Sequence, residues 1–143
     1  MNIVEKVKAL DFPDGEYIVV GSGILGAKNI REIHDVDIVV SSDLFEKCKN
    51  DGWEQAPWTY EKIGQIYLKK AEYELYLDVN CRDFNPTLRE LLQRAEMIEG
   101  VPFASLEDSV SFKRVYGKPK HLRDIELIER FENSRSGHSA VSL

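Results

Sequence analysis

Cysteine is nearly absent: Cys48 and Cys81 are the two in 143 residues. With no C-x-x-C and no Cys/His cluster, a disulfide scaffold and a zinc knuckle are both excluded, and the two side chains are expected as free thiols. No apolar run approaches the roughly 20 residues of a membrane helix. The opening Met1-Asn2-Ile3-Val4-Glu5-Lys6 carries an acid where a signal peptide would continue apolar, so the cytoplasm is the expected compartment, with no membrane partner. No internal repeat is found, and basic residues are in deficit. The 19 basic against 25 acidic side chains give a net charge of -6, which excludes broad, sequence-independent binding to nucleic acid and leaves room only for a local basic patch. What remains is the composition of an ordinary globular domain, 43% hydrophobic, 31% charged and 10% aromatic. Its length predicts one domain, residues 1–132, followed by a Ser-rich, aperiodic and flexible tail over 133–143.

Periodicity gives the order of elements. Ile3, Val4, Val7 and Leu10 have helical spacing, and Pro13-Asp14-Gly15 ends that helix in a turn. Glu16 to Val20 and Val36 to Val40 are β-branched runs separated by room for a short helix. Ser42 or Asp43 caps the next helix, which stops at Asn50-Asp51-Gly52. Ile63 to Lys70 and Tyr73 to Asn80 alternate and read as a hairpin about Ala71-Glu72. Asn85-Pro86 opens a helix expected to reach about Ile98. Ser105-Leu106-Glu107-Asp108 caps a helix ending at Gly117, and Leu122, Ile125, Ile128 and Phe131 lie on a last one. The fold class predicted is α/β (α+β): a short mixed or antiparallel sheet with flanking helices mainly on one face.

Two readings compete for Gly21 to Val40. Gly21-Ser22-Gly23-Ile24-Leu25-Gly26 spells G-x-G-x-x-G after a strand, and Asp43 stands near the place of a ribose-binding acid, as in a dinucleotide-binding unit. Against this, a Rossmann second strand is buried on both faces, where Asp35 and Asp37 would lack partners. The other reading makes the acids the point of the segment. Strand residues two apart share a face, so Asp35 and Asp37 converge while Val36, Ile38 and Val40 face the core. In the hairpin, Glu74, Tyr76, Asp78 and Asn80 share a face, and Asp78 can join the pair. Three carboxylates on one sheet face repel unless a cation sits among them, and oxygen-only donors favour Mg²⁺ or Mn²⁺.

Gly21-Ser22, then Arg31, then Asp35-Val36-Asp37-Ile38-Val39-Val40, with Asp78 on a later strand, resembles the DNA polymerase β-like nucleotidyltransferase superfamily. Within it, the pattern is similar to the small bacterial branch of minimal and aminoglycoside adenylyltransferase-like proteins. The resemblance spans roughly residues 16 to 131, with Lys113, Gly117-Lys118-Pro119-Lys120 and Asp124 matching a closing region. It implies an enzyme that moves a nucleoside monophosphate from an NTP, ATP included, to a hydroxyl acceptor and releases pyrophosphate. It also implies roles: Asp35, Asp37 and Asp78 share the metal site, with Asp78 beside the activated hydroxyl as base or metal ligand, Gly21 and Ser22 on the terminal phosphates, and Arg31 and Lys113 as candidate phosphate contacts or else solvated helix charges. The acceptor could be a small molecule, an RNA end or a protein, and so compact a chain would complete its acceptor site with a homodimer partner or another subunit. The alternative is a regulatory or antitoxin-type subunit that binds nucleotide and metal without turnover.

Other residues have plainer readings. His34, lacking a second His or Cys at ligand spacing, reads as a strand-edge polar residue. Trp53, Trp58 and Tyr60 pack on the core or form a stacking lip. Lys118, Lys120, His121 and Arg123 form a local basic cluster. Phe112 and Val115 place the apolar side of their helix, which leaves Lys113 off the core stripe, and Lys120 stands four residues from Asp124, at pairing distance.

Overall fold

The computed structural model describes residues 1–59, 62 and 64–141, with side chains described as far as 135. The elements run α1 (Ile3–Lys8), β1 (Tyr17–Val20), α2 (Gly23–Ala27), β2 (Val36–Val40), α3 (Ser42–Asn50), β3 (Glu54–Pro57) and β4 (Ile66–Lys70). They continue with β5 (Tyr73–Tyr76), α4 (Leu88–Gln93), β6 (Glu96–Ile98), β7 (Val101–Phe103), α5 (Leu106–Tyr116) and α6 (Pro119–Val141). The strands form one mixed sheet in the order β3-β4-β5-β2-β1-β7-β6, so the chain has the α+β class its periodicity predicts.

Alternation divides the sheet into two faces. Tyr17 and Val19 of β1 and Val36, Ile38 and Val40 of β2 pack under α1, α2, α3 and Ile128 of α6. Ile18, Val20 and Val39 point the other way and are covered by Leu91 of α4, with Leu88 and Leu92 at the margin. Each such side chain, fully buried, contributes about 1.5–3 kcal/mol. The second face is only partly covered, and beyond α4 it opens where β2 turns Asp37 outward. Register decides what stands there: β2 runs antiparallel to β1 with Asp37 opposite Val20 and parallel to β5 with Asp37 opposite Glu74.

Local chemistry sets the helix ends. Asn2, Ser41, Thr87 and Ser105 accept backbone N–H groups at the starts of α1, α3, α4 and α5, and Thr87 and Glu90 form a reciprocal capping box. Ser41 therefore caps where Ser42 or Asp43 was expected, and Thr87 in place of Asn85. The predicted helix to Ile98 stops at Gln93 because Glu99 and Gly100, both at positive φ (50° and 84°), make the tight turn that pairs β6 with β7. Edge strand β3 escaped the sequence reading, since Glu54, Gln55 and Pro57 carry little strand propensity. The Ser-rich segment from Asn133 continues α6 as far as Val141, because extending a nucleated helix costs each residue little. No described helix is long and apolar enough to cross a membrane.

Candidate functional site

The open part of the second face is a cleft of about 310 Å³ lined by Gly21, Asp35, Asp37, Glu74 and Asp78 together with aromatic and basic side chains. Asp35 is exposed and Asp37 half-buried. Oδ1 of Asp37 is closed off from solvent without a hydrogen-bond partner. Burial, then the negative charges of Glu74 and Asp35, push the Asp37 carboxyl from its ordinary 3.8 up to about 7. The group thus resists ionising, the charge of Lys113 opposing that shift without overcoming it. Glu74 accepts a hydrogen bond from the Tyr76 hydroxyl at 3.1 Å.

Asp78 shares the cleft but is otherwise engaged. Lys62 donates to its carboxylate and, at 3.0 Å, to its main-chain oxygen, and the Asn80 N–H reaches the same carboxylate at 3.0 Å. The carboxylate in direct register with Asp37 is Glu74, which the sequence placed on the same hairpin face without singling out. Parallel pairing of β2 with β5 joins residues 37 apart in the chain (74 minus 37), and no local pattern reports that register. Among the described residues no three His, Cys, Asp or Glu side chains are gathered closely enough to hold a metal ion between them.

Gly21 is required twice over: its φ is +64°, and a Cβ there would lie 3.0 Å from Oδ2 of Asp37. Its carbonyl accepts from the Ser109 hydroxyl of α5 at 3.3 Å. Ser22 has a different situation. Its hydroxyl donates to Oδ2 of Asp124 at 3.2 Å and accepts from Nη2 of Arg31 and Nζ of Lys113, both at 3.0 Å. A hydroxyl has one hydrogen and two lone pairs, so none of its bonding capacity is left for a phosphate in this arrangement.

The hub of that network is Asp124 on α6. It receives Nε and Nη2 of Arg31 at 2.7 and 2.9 Å and Nζ of Lys113 at 3.0 Å. Lys113, expected off the core stripe and free to reach a ligand, is 2% exposed. The correction has a visible cause: the inner face of α5 is polar at Asp108, Ser109 and Lys113, so an apolar stripe misreads its direction. Nor does Asp124 pair with Lys120; it turns inward. Burial lowers the Lys113 pKa, with Asp124 opposing that shift. Burial likewise works to raise the Asp124 carboxyl, but the hydrogen bonds from Arg31 and Lys113 outweigh it and hold it at about 2.

Aromatic rings flank the carboxylates on both sides. Toward β4 and β5, Tyr67 and Tyr76 stack at 5.2 Å, Trp58 lies 5.2 Å from Tyr76, and Lys62 sits over the Trp58 ring at 5.1 Å. On the α5–α6 side, His121 meets Tyr116 and Phe112 edge-on at 4.9 and 6.2 Å. His121 does not join a basic cluster: burial, then the charges of Lys113 and Lys120, push its pKa down to about 4, leaving it neutral. Trp53 packs in the core beside Phe12 and Tyr73, Tyr60 and Ile63 lie outside the described residues, and His34 lines a different surface hollow.

Two further glycines have packing explanations. A Cβ on Gly23 would come 2.3 Å from Val19, and one on Gly26 would come 2.7 Å from Ile33. Gly23 lets α2 lie on β1, and Gly26 makes room for Ile33 of the segment leading to β2. Because β1 and β2 are antiparallel, the G-x-G-x-x-G string does not open a Rossmann unit, which requires parallel strands. Compared with family models, with curated proteins and with solved structures, the chain gives no match.

Proposed function

We propose that the protein is a metal-dependent nucleotidyltransferase that moves a nucleoside monophosphate from an NTP to a hydroxyl acceptor. The observation that carries this reading is the pairing, in register, of Asp37 with Glu74 beside Asp35 and Gly21, with Oδ1 of Asp37 buried and unpartnered. An orphaned carboxylate oxygen among oxygen-only donors fits a hard divalent cation. Asp35 and Asp37 would hold Mg²⁺ or Mn²⁺, which when bound neutralises charge on the phosphates and on the reacting hydroxyl.

The remaining work falls to this chain's own groups. Gly21, lacking a side chain against Asp37, lets the phosphate chain lie close to the backbone. Glu74, steadied by the Tyr76 hydroxyl on Oε1, takes the acceptor's proton on Oε2. The acceptor oxygen bonds to the α-phosphorus as the bond from that phosphorus to its bridging oxygen breaks, and pyrophosphate leaves with the electron pair. The Ser22, Arg31, Lys113 and Asp124 network contributes one excess positive charge behind the Gly21 loop.

A second reading, nucleotide and metal binding without turnover, is favoured by the engagement of Asp78 with Lys62. The test is pyrophosphate release from each NTP with Mg²⁺ or Mn²⁺ and a panel of small alcohols, tRNA and proteins, run beside calorimetric binding. Release that Asp37→Asn abolishes supports the transferase. Binding without release supports the second reading, and absence of both removes the two together.

A further inference from the structure

Among the described residues two buried side-chain polar atoms lack a hydrogen-bond partner, Oδ1 of Asp37 and Nδ1 of His121, and both residues line the same cleft. Leaving such an atom unpaired costs free energy that folding alone does not recover, so each one asks for a partner from outside the chain. The first has its explanation at the carboxylate end. The second stands on the opposite wall, where α5 passes the Gly21 carbonyl through Ser109 and then presents Phe112 and Tyr116, with His121 following from α6.

Resting on the transferase reading, we propose that Phe112, Tyr116 and His121 form the seat of the NTP's nucleobase, with Nδ1 of His121 hydrogen-bonding to the edge of the base. The position follows from the phosphate path: a nucleotide whose phosphates lie between Gly21 and the β2 carboxylates has α5 and the start of α6 beside its sugar and base. Both walls carry a lysine over a ring, Lys62 on Trp58 and Lys118 on Tyr116, each at 5.1 Å, and what distinguishes the α5–α6 wall is the unpartnered Nδ1 of His121. The chemistry also fits a base and not a phosphate. His121 is 9% exposed and neutral, so it offers one donor and one acceptor nitrogen, the complement of a heteroaromatic edge. Phe112 and Tyr116, 5.3 Å apart and tilted by 36°, add the apolar ring surface on which a base stacks.

The test is calorimetry on the full chain with Mg²⁺ and, separately, ATP, GTP, CTP, UTP and inorganic tripolyphosphate. At least one NTP is expected to bind about 5- to 150-fold more tightly than tripolyphosphate, the range contributed by base–aromatic stacking. His121→Phe keeps the ring and removes an unsatisfied polar atom, so it should melt no lower than the parent. It should weaken the preferred NTP by about 3- to 10-fold, one hydrogen bond's worth, and leave tripolyphosphate unchanged. Tyr116→Leu should remove most of the base's advantage. Equal binding of NTPs and tripolyphosphate by the parent, or parental NTP affinity in both variants, overturns the nucleobase seat while leaving the transferase reading in place. Failure of the parent to bind any of the five probes overturns both.

Discussion

The molecule holds two clusters of charge that meet at the Gly21-Ser22 turn, Asp37 against Gly21 and Asp124 bonded to Ser22, and they are built on opposite plans. Around Asp124 every group is matched: two cations, a carboxylate and the Ser22 hydroxyl close on one another at 2.7 to 3.2 Å, and the carboxyl sits at about 2. Around Asp37 the neighbours are acids, one oxygen has no partner, and the carboxyl sits at about 7. Satisfied charge is what scaffolding looks like, and unsatisfied charge in an open cleft is what a binding site looks like before its ligand arrives. The resemblance to nucleotidyltransferases treats Ser22, Lys113 and the aspartates as one site. The hydrogen bonds separate them into a support and a working surface.

Breaking the support should have the largest effect. Asp124→Ala leaves Lys113 buried and Arg31, a third exposed, without their carboxylate, a loss of about 3–5 kcal/mol for a broken buried pair, read as a lower midpoint in urea unfolding. Lys113→Ala should also destabilise, whereas an off-core lysine would cost almost nothing. Parental stability in both variants would erase the distinction between the two clusters.

Within the working surface the comparison sharpens between Glu74 and Asp78. Glu74 stands in register with Asp37 without itself holding the ion, so Glu74→Gln, which removes that neighbouring charge, should weaken Mn²⁺ binding by roughly 10- to 100-fold, as loss of a residue behind a metal ligand does. Asp78→Asn, which removes a partner of Lys62, should change it far less. Electron paramagnetic resonance of free Mn²⁺ measures both, and the reverse order would return Asp78 to the place the sequence motif gives it.

That pair also shows how far the sequence was legible. Strand period alone placed Val36, Ile38 and Val40 in the core and Asp35 and Asp37 on the other face, because alternation is a local property. Gly117 was readable as the end of α5, and it adopts φ +71°. Alternation through Asn80 would put Glu74 and Asp78 on one face, but β5 ends at Tyr76, and which acid stands beside Asp37 depends on the β2–β5 register, which is set by packing across the whole sheet. Lys113 was misplaced for a related reason: its burial depends on a carboxylate on α6 and a guanidinium before β2, and neither belongs to its own helix. The turn at Glu99-Gly100 cut short a helix whose apolar spacing was otherwise sound.

A smaller effect, of opposite sign to the first, is expected from Asp37→Asn. An acid held above its ordinary pKa in the fold supports stability fully while protonated, below about pH 4, and that support is lost as pH rises toward 7. The asparagine variant cannot ionise, so without metal it should match the parent near pH 4 and exceed it at pH 7.5, by on the order of 1–3 kcal/mol. Unfolding in urea at the two pH values measures the difference. Excess Mn²⁺ should reverse the ranking at pH 7.5, since binding stabilises only the protein that holds the ion.

The smallest effect tests the premise of the whole comparison, that burial and not distance decides what a charge pair contributes. Lys47 and Asp51 approach to 2.8 Å on α3, closer than Lys113 and Asp124 at 3.0 Å, yet their side chains are 69% and 56% exposed against 2% and 7%. The exposed pair exchanges one set of water contacts for another and fixes two long side chains to gain a screened attraction. The buried pair has no water to return to when its partner is removed. Lys47→Ala should therefore leave the unfolding midpoint unchanged at low and high salt alike, while Lys113→Ala lowers it at both. A measurable loss for Lys47→Ala that added salt abolishes would mean that surface electrostatics also holds this fold. The contrast between the Asp124 hub and the Asp37 cleft would then be one of degree.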